Sequence, residues 1–197
     1  MRSDTPASVY ALDSADRIRS ANAQWDRFAK ENDAPALVGE AIFGRSIWEY
    51  VEGPEVRHLY KMLMSSAREG RTIRIPFRCD APEKRRFMKL EIRPQADNGL
   101  ELTAVLLREE TRPRVALLDP RADRRDEFLS VCSWCRGVLV EHRWVEVEAA
   151  IEELDLFGDA MPRISHGICP DCVKKLYPDL VPPDENDSCI KEGRIIK

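Results

Sequence analysis

The chain is 197 residues long, with 43% apolar and 34% charged residues and a formal net charge of −4. That length suits one ordinary domain plus a small one, the apolar share supports a packed core, and the mild acidity argues against a nucleic-acid partner. No apolar run approaches the roughly 20 residues of a membrane span, and the Met-Arg-Ser-Asp-Thr-Pro start lacks the apolar core of a secretory signal, so the expectation is a cytoplasmic protein with no membrane contact.

Ser8-Val9-Tyr10-Ala11-Leu12 alternates as a short strand, Asp13-Ser14-Ala15-Asp16 turns it, and Arg17-Ile18-Arg19-Ser20 returns. Asn22 is a candidate N-cap for a helix carrying Trp25, Phe28 and Ala29, broken at Asn32-Asp33-Ala34-Pro35. Phe43 to Val51 reads as a short helical connector. Gly53-Pro54 then opens the clearest helix, with Pro54 in the first turn, Val56, Leu59, Tyr60, Leu63, Met64 and Ala67 at helical spacing, and Gly70 at its end. Three alternating stretches follow: Ile73, Ile75, Phe77 and Cys79; Met88, Leu90 and Ile92; Leu100, Leu102, Ala104 and Leu106. Asp97-Asn98-Gly99 supplies a hairpin turn between the last two.

The order of two strands, several helices and three strands, with Leu12-Asp13, Arg17-Ile18, Ala21-Asn22, Trp25 and Gly44-Arg45, resembles a PAS sensory domain over roughly residues 7–110. The resemblance implies a five-stranded antiparallel sheet whose concave face, with the helices, encloses a small pocket for an unidentified small-molecule ligand. It also implies that the Pro54–Glu69 helix flanks that pocket. Some PAS proteins bind haem through a histidine on this helix. His58, however, projects nearly opposite the Val56, Leu59, Tyr60, Leu63 stripe and reads as a surface residue. The photoactive flavin subset has a reactive cysteine in its early helical region, and this chain has none there. Cys79, on the Phe77 face of its strand, reads as a buried inert thiol.

Thr111 to Arg125 is rich in Arg, Asp and Pro and reads as a linker, with Val115-Ala116-Leu117-Leu118 docking on a neighbouring surface. Beyond it, Cys132-Ser133-Trp134-Cys135 is answered by Cys169-Pro170-Asp171-Cys172. A Cys-x-x-Cys turn aims two sulfurs at one point, and two such turns complete a tetrahedral thiolate site for zinc. The expected metal ligands are therefore Cys132, Cys135, Cys169 and Cys172, with His166 nearby as a competing ligand. Four protein ligands close the coordination sphere and make the site structural. Between the pairs, Trp144, Val147, Ile151 and Leu154 suggest an amphipathic helix, and Val173–Tyr177 a second, stopped by Pro178. Cys-Ser-Trp-Cys-Arg, Trp144 and Ser-His-Gly-Ile-Cys-Pro-Asp-Cys together resemble a module attached to bacterial sensory and response-regulator proteins, a resemblance that implies a signalling accessory and assigns no reaction.

Arg74, Arg78, Lys89 and Arg93 share the outer sheet face, as a solvated surface or a patch covered by the acidic C-terminal module or a second subunit. His142 lies in a loop with no evident partner. No phosphate loop, nucleophile elbow or kinase signature occurs, so no catalytic residue is assigned and no enzymatic activity is expected. The expected fold class is α+β: a PAS-like five-stranded antiparallel sheet with flanking helices in residues 1–110, a linker in 111–126, a small zinc-stabilised α-rich module in 127–180 and a loose polar tail in 181–197. The expected function is sensing of a small molecule or cellular state, passed on by contact with a signalling partner or in a homodimer. A zinc-thiolate redox switch is the alternative.

Overall fold

A computed structural model describes residues 7–176 apart from 33 and 159. The expected tail at 181–197, and with it Cys189, lies outside the described residues. Five strands form one sheet in the order β2-β1-β5-β4-β3, every neighbouring pair antiparallel. They are β1 (Ala7–Leu12), β2 (Ile18–Ala21), β3 (Ile73–Arg78), β4 (Lys84–Pro94) and β5 (Leu100–Thr111). With helices α1 (Ala23–Glu31) and α2 (Pro54–Arg68) they make the PAS-like α+β unit that the sequence resembles.

Local chemistry accounts for these elements. Asn22 caps α1 by accepting from Trp25 N at 3.0 Å, which satisfies one of the orphan amides at a helix start. Arg45 to Val51 contains only one short 3₁₀ turn, Ile47–Glu49, closed by a capping box between Ser46 and Glu49. In α2, Val56, Leu59, Leu63, Met64 and Ala67 are buried. They meet Leu12, Ile75, Leu90, Ile92, Leu100 and Leu102 from the concave sheet face in one apolar cluster. Each large side chain so buried contributes about 1.5–3 kcal/mol. The β4–β5 connection differs from a simple Asn-Gly turn: the positive φ angles fall on Asp97 and Asn98, while Gly99 is extended and lies where a Cβ would meet Leu12 O at 2.9 Å.

The C-terminal part is not α-rich. It is a four-stranded sheet in the order β8-β7-β6-β9, with two short helices. Its elements are β6 (Asp123–Cys132), β7 (Val138–Val140), β8 (Arg143–Val145), α3 (Val147–Glu153), β9 (Ala160–Gly167) and α4 (Pro170–Leu176). Trp144 therefore sits on a strand, and the helix expected from its spacing begins three residues later. The α3 crossover returns the chain to the far side of β6, where β9 pairs in parallel. A second core forms from Val131, Val138, Val140, Val147, Ala150 and Met161. Val115 and Leu117, from the expected linker, are buried in the same cluster, which is the docking expected of that stretch.

Two features join the halves. The first is a buried ion network. Asp80, whose side chain has 0% exposure, pairs with Arg78 and, at 3.2 Å, with Arg112. Arg78 donates on to Glu146 at 3.0 and 2.9 Å, while Arg112 and Arg85 reach Glu148 at 3.2 and 2.7 Å. Burial opposes the charge on Arg78, but its bonds to Asp80 and Glu146 outweigh that and hold the guanidinium ionised. Arg78 thus leaves the expected basic patch and becomes the point where the acidic second half covers the sheet. Arg74 and Arg93 instead both pair with Glu91. The second feature is Gly53, at φ +84, where a Cβ would meet the His166 carbonyl oxygen at 2.7 Å.

Removing the carboxylate in Asp80→Ala strands two buried guanidinium groups and is expected to cost about 3–5 kcal/mol in chemical denaturation. Gly53→Ala combines backbone strain with a backbone clash and should cost about 1–3 kcal/mol or more. Gly44→Ala, at φ +78 with nothing within 4 Å, should cost less, because only the strain is shared. Equal midpoints for the two glycine variants would remove the His166 contact as a constraint.

Candidate metal centre

The first sulfur turn follows directly from the end of β6. Cys132 N donates to Gly137 O at 2.8 Å, and Arg136 N donates to Cys132 O at 3.0 Å. Arg136 takes a left-handed backbone, φ 63, and this sharp reversal brings Gly137 N to Cys135 Sγ at 3.4 Å. A Cβ on Gly137 would lie 3.3 Å from that sulfur, so glycine permits the approach. The second turn opens α4 and repeats the pattern: Val173 N donates to Cys169 O at 3.1 Å, and Cys172 N to Cys169 Sγ at 3.4 Å. The two turns are stitched together by Ser133 N to Gly167 O at 2.9 Å and Cys169 N to Cys132 Sγ at 3.4 Å. β6 and β9 deliver them side by side because those strands are parallel neighbours, with Cys132 opposite Gly167.

The four expected ligands come together. The sulfurs of Cys132, Cys135, Cys169 and Cys172 all lie within 4.8 Å of one another. Cys132, Cys169 and Cys172 are buried and Cys135 is half-buried. Cys135 and Cys169 are 3.7 Å apart, far beyond the ~2.05 Å of a disulfide. Hydrogen bonds from the other three thiols hold Cys132 far below the usual thiol value, while bonding to that sulfur holds the Cys172 proton on. Four thiolates at this separation repel one another strongly in a dry site, so a cation is what allows all four to ionise. The donor set and its spacing fit a metal ion held entirely by protein, with no position left for substrate.

His166 stands outside this cluster. Its Nε2 lies 3.3 Å from Glu52 Oε2, and desolvation holds the imidazole below its ordinary value against the opposing pull of Glu52. Its role is to place its backbone against Gly53 and its side chain against Glu52. His58 is exposed, in keeping with the helical phase, and His142 is exposed as well. Cys79 is half-buried, and burial pushes its thiol up, which suits an inert group.

The sulfur turns do not belong to the second core. Cys132, Trp134, Cys169 and Cys172 join the apolar cluster of α2 and the first sheet. Arg78 N, at the end of β3, donates to Trp134 O at 2.7 Å. The Trp134 indole packs on Tyr60 of α2 with ring centroids 5.3 Å apart. Sequence reasoning brought the four cysteines together but missed Tyr60, Arg78 and Trp134 as the joint between the halves; Trp134, lodged inside the Cys-x-x-Cys turn, was the one available signal. Substituting His166→Gln is expected to leave the metal content of the purified chain unchanged, measured by elemental analysis per mole of protein. A loss of half or more would return His166 to the ligand set.

No family model matches the chain, and no curated protein does. Among solved structures, the chain is similar to the photoactive yellow protein domain of the sensor histidine kinase Ppr from Rhodospirillum centenum, with 12% identity and a TM-score of 0.39 over 51% of this chain and 86% of that one. It is similar to the PAS domain of the quorum-sensing receptor RpfR from Cronobacter turicensis, in complex with C12:0, with 14% identity and a TM-score of 0.39 over 55% of this chain and all (100%) of that one. It is also similar to a sensory box sensor histidine kinase from Vibrio cholerae, with 9% identity and a TM-score of 0.37 over 52% of this chain and 82% of that one.

Proposed function

We propose that the protein is a bacterial sensory signalling protein in which a PAS-like unit takes up a small-molecule or cellular signal and passes it on by protein–protein contact, without catalysis, in the cytoplasm. The four cysteines hold one structural zinc. The observation that carries this reading is the shared burial of Cys132, Trp134, Cys169 and Cys172 with α2 and the concave sheet face. A change in that core would act on the sulfur turns, which continue directly into the ends of β6 and β9. Among the described residues no helix is long and apolar enough to cross a membrane, and nothing in the reading requires one. The partner is a further signalling protein or a second copy of this chain.

Zinc is favoured over other ions by ligand softness and geometry. A tetrahedron with zinc–sulfur bonds of about 2.3 Å has sulfur–sulfur edges of about 3.8 Å, and the Cys135–Cys169 separation is 3.7 Å. Closed four-sulfur sites of this kind lend their binding energy to folding.

One observation favours a second reading. Cys135 is the least buried member of the cluster and lies next to Cys169. In a redox switch, peroxide would oxidise these two zinc-bound thiolates to a disulfide, their two electrons and two protons from solvent reducing one peroxide to two waters, and zinc would leave.

Native mass spectrometry of the full chain tests both readings. The expected mass carries one zinc per chain and survives mild peroxide, and Cys169→Ser loses the metal and the cooperative unfolding of the second half. Absence of metal with all thiols intact would sink the structural site. Release of zinc by stoichiometric peroxide, with a disulfide that a thiol reductant reverses, would replace the contact-relay reading with the redox switch.

A further inference from the structure

A recess of about 380 Å³ opens where the first sulfur turn meets the start of α2. Val56, Tyr60 and Phe77 line it from the PAS-like unit, and Trp134, Arg136 and His166 from the other half. It is therefore a site that neither half contains alone, and it differs from the concave sheet face, whose side chains pack on one another.

Among the described residues, six buried side-chain polar atoms have no hydrogen-bond partner, and three of them, Tyr50 Oη, Trp134 Nε1 and Arg136 Nε, belong to residues lining this one recess. The other three, on Arg85, Arg112 and Glu148, belong to the ion network, where each residue is otherwise paired. Leaving a buried donor unmade costs about 1–3 kcal/mol, so three around one recess is an arrangement that an acceptor relieves. All three can donate. The charge on Arg136 also acts on both Tyr60 and His166 across the recess. The one carboxylate among the lining residues, Glu52, is 75% exposed and engaged with His166. Ser133 and His166 add polar groups to the lining, and its apolar part comes from Val51, Val56, Phe77 and the rings of Tyr60 and Trp134, which are inclined at 42°. A recess of this size, lined by apolar rings and by residues that carry unpartnered donors, has the character of a small-ligand site.

We propose that this recess binds a small organic anion, a carboxylate with an apolar body, whose oxygens accept from Tyr50, Trp134 and Arg136 while its body lies against Tyr60 and Phe77. The three donor atoms are sheathed from solvent, so the anion reaches them through a side-chain rotation in the wall. That rotation displaces Trp134, the residue that joins β3 and α2 to the sulfur turn. The inference deepens the sensory reading by naming the ligand class, and it leans on that reading only for its purpose; binding is measured directly, so its failure leaves the metal and contact tests untouched.

The test uses the full, metal-loaded chain and sodium benzoate at constant ionic strength, followed by the indole N–H signals of the four tryptophans, with Trp134→Phe assigning one of them. The expected result is a saturable shift of the Trp134 signal. Benzyl alcohol, with the same body and no charge, should bind at least about tenfold more weakly, and Tyr50→Phe and Arg136→Met should each weaken benzoate by about tenfold. Metal content should be unchanged in Tyr50→Phe, which lies outside the sulfur turns and keeps the test valid if Arg136→Met disturbs them. No saturable shift with benzoate, equal binding of benzyl alcohol, or undiminished binding by Tyr50→Phe would each overturn the proposal. Equal binding of inorganic phosphate would overturn the apolar part of it.

Discussion

The crowding of four sulfurs in a dry, shared site is the constraint on which the C-terminal half depends. Cys132, Cys135, Cys169 and Cys172 sit too close for four uncompensated charges and too far apart for disulfides. Without a cation, protons must be shared among them, and the two turns are joined by one backbone bond, Ser133 N to Gly167 O, and by a weak N–H to sulfur bond from Cys169 to Cys132. With a cation, the ends of β6 and β9 are clamped together. That matters because the parallel β6–β9 pairing closes a loop of some thirty residues and has no hairpin to help it form.

The clamp also explains where the boundary between the halves falls. Most small metal modules carry their sulfur site in their own core. Here the sulfur turns are buried in the core of α2 and the first sheet, while the second core, built on Val131, Val138, Val147 and Met161, lies further along. The halves therefore share a wall. The ion network of Asp80, Arg78, Arg112, Glu146 and Glu148 seals one edge of that wall, and the Gly53–His166 backbone approach seals the other. Inter-domain surfaces are ordinarily polar and permissive of motion. An apolar wall with a buried ion cluster at its edge argues for transmission by small concerted shifts.

What the sequence made legible was what depends on neighbours along the chain. Asn22 reads as a cap because an N-cap acts within three residues, and Val56 to Ala67 reads as a helix face because its period is local. The cysteine spacing is legible because a Cys-x-x-Cys turn is its own small structure. The failures share a cause in the other direction. Trp144 matched a helical period with Val147 and Ile151, yet Arg143–Val145 is a strand, because its pairing with β7 outweighs a three-residue coincidence. Arg78 alternated outward with Arg74 as expected, but its burial is decided by Glu146, 68 positions away. The four-stranded second sheet went unseen because its β6–β9 pairing is parallel and non-local, and two of its strands, of three residues each, are too short to show alternation.

The position of Trp134 draws these points together. A residue between two metal-binding cysteines is usually a small or polar filler of a tight turn. Here a large aromatic, 4% exposed, is driven into the core of the neighbouring unit, where its carbonyl extends the β3 edge and its ring meets Tyr60. Desolvation at Tyr60 pushes its phenol up to about 12, so the ring that meets the indole stays uncharged. A cation bound by the four sulfurs would fix the backbone on either side of Trp134 to within the tolerance of a metal–sulfur bond and leave the ring little freedom to adapt on its own. Any change in the packing around α2 must then be absorbed by the turn or by the helix. With a cation on the four sulfurs, the turn would be the stiffer partner and α2, held by one apolar face, the softer one, so a displacement would pass towards β6 and β9 instead of being lost in side-chain rearrangement.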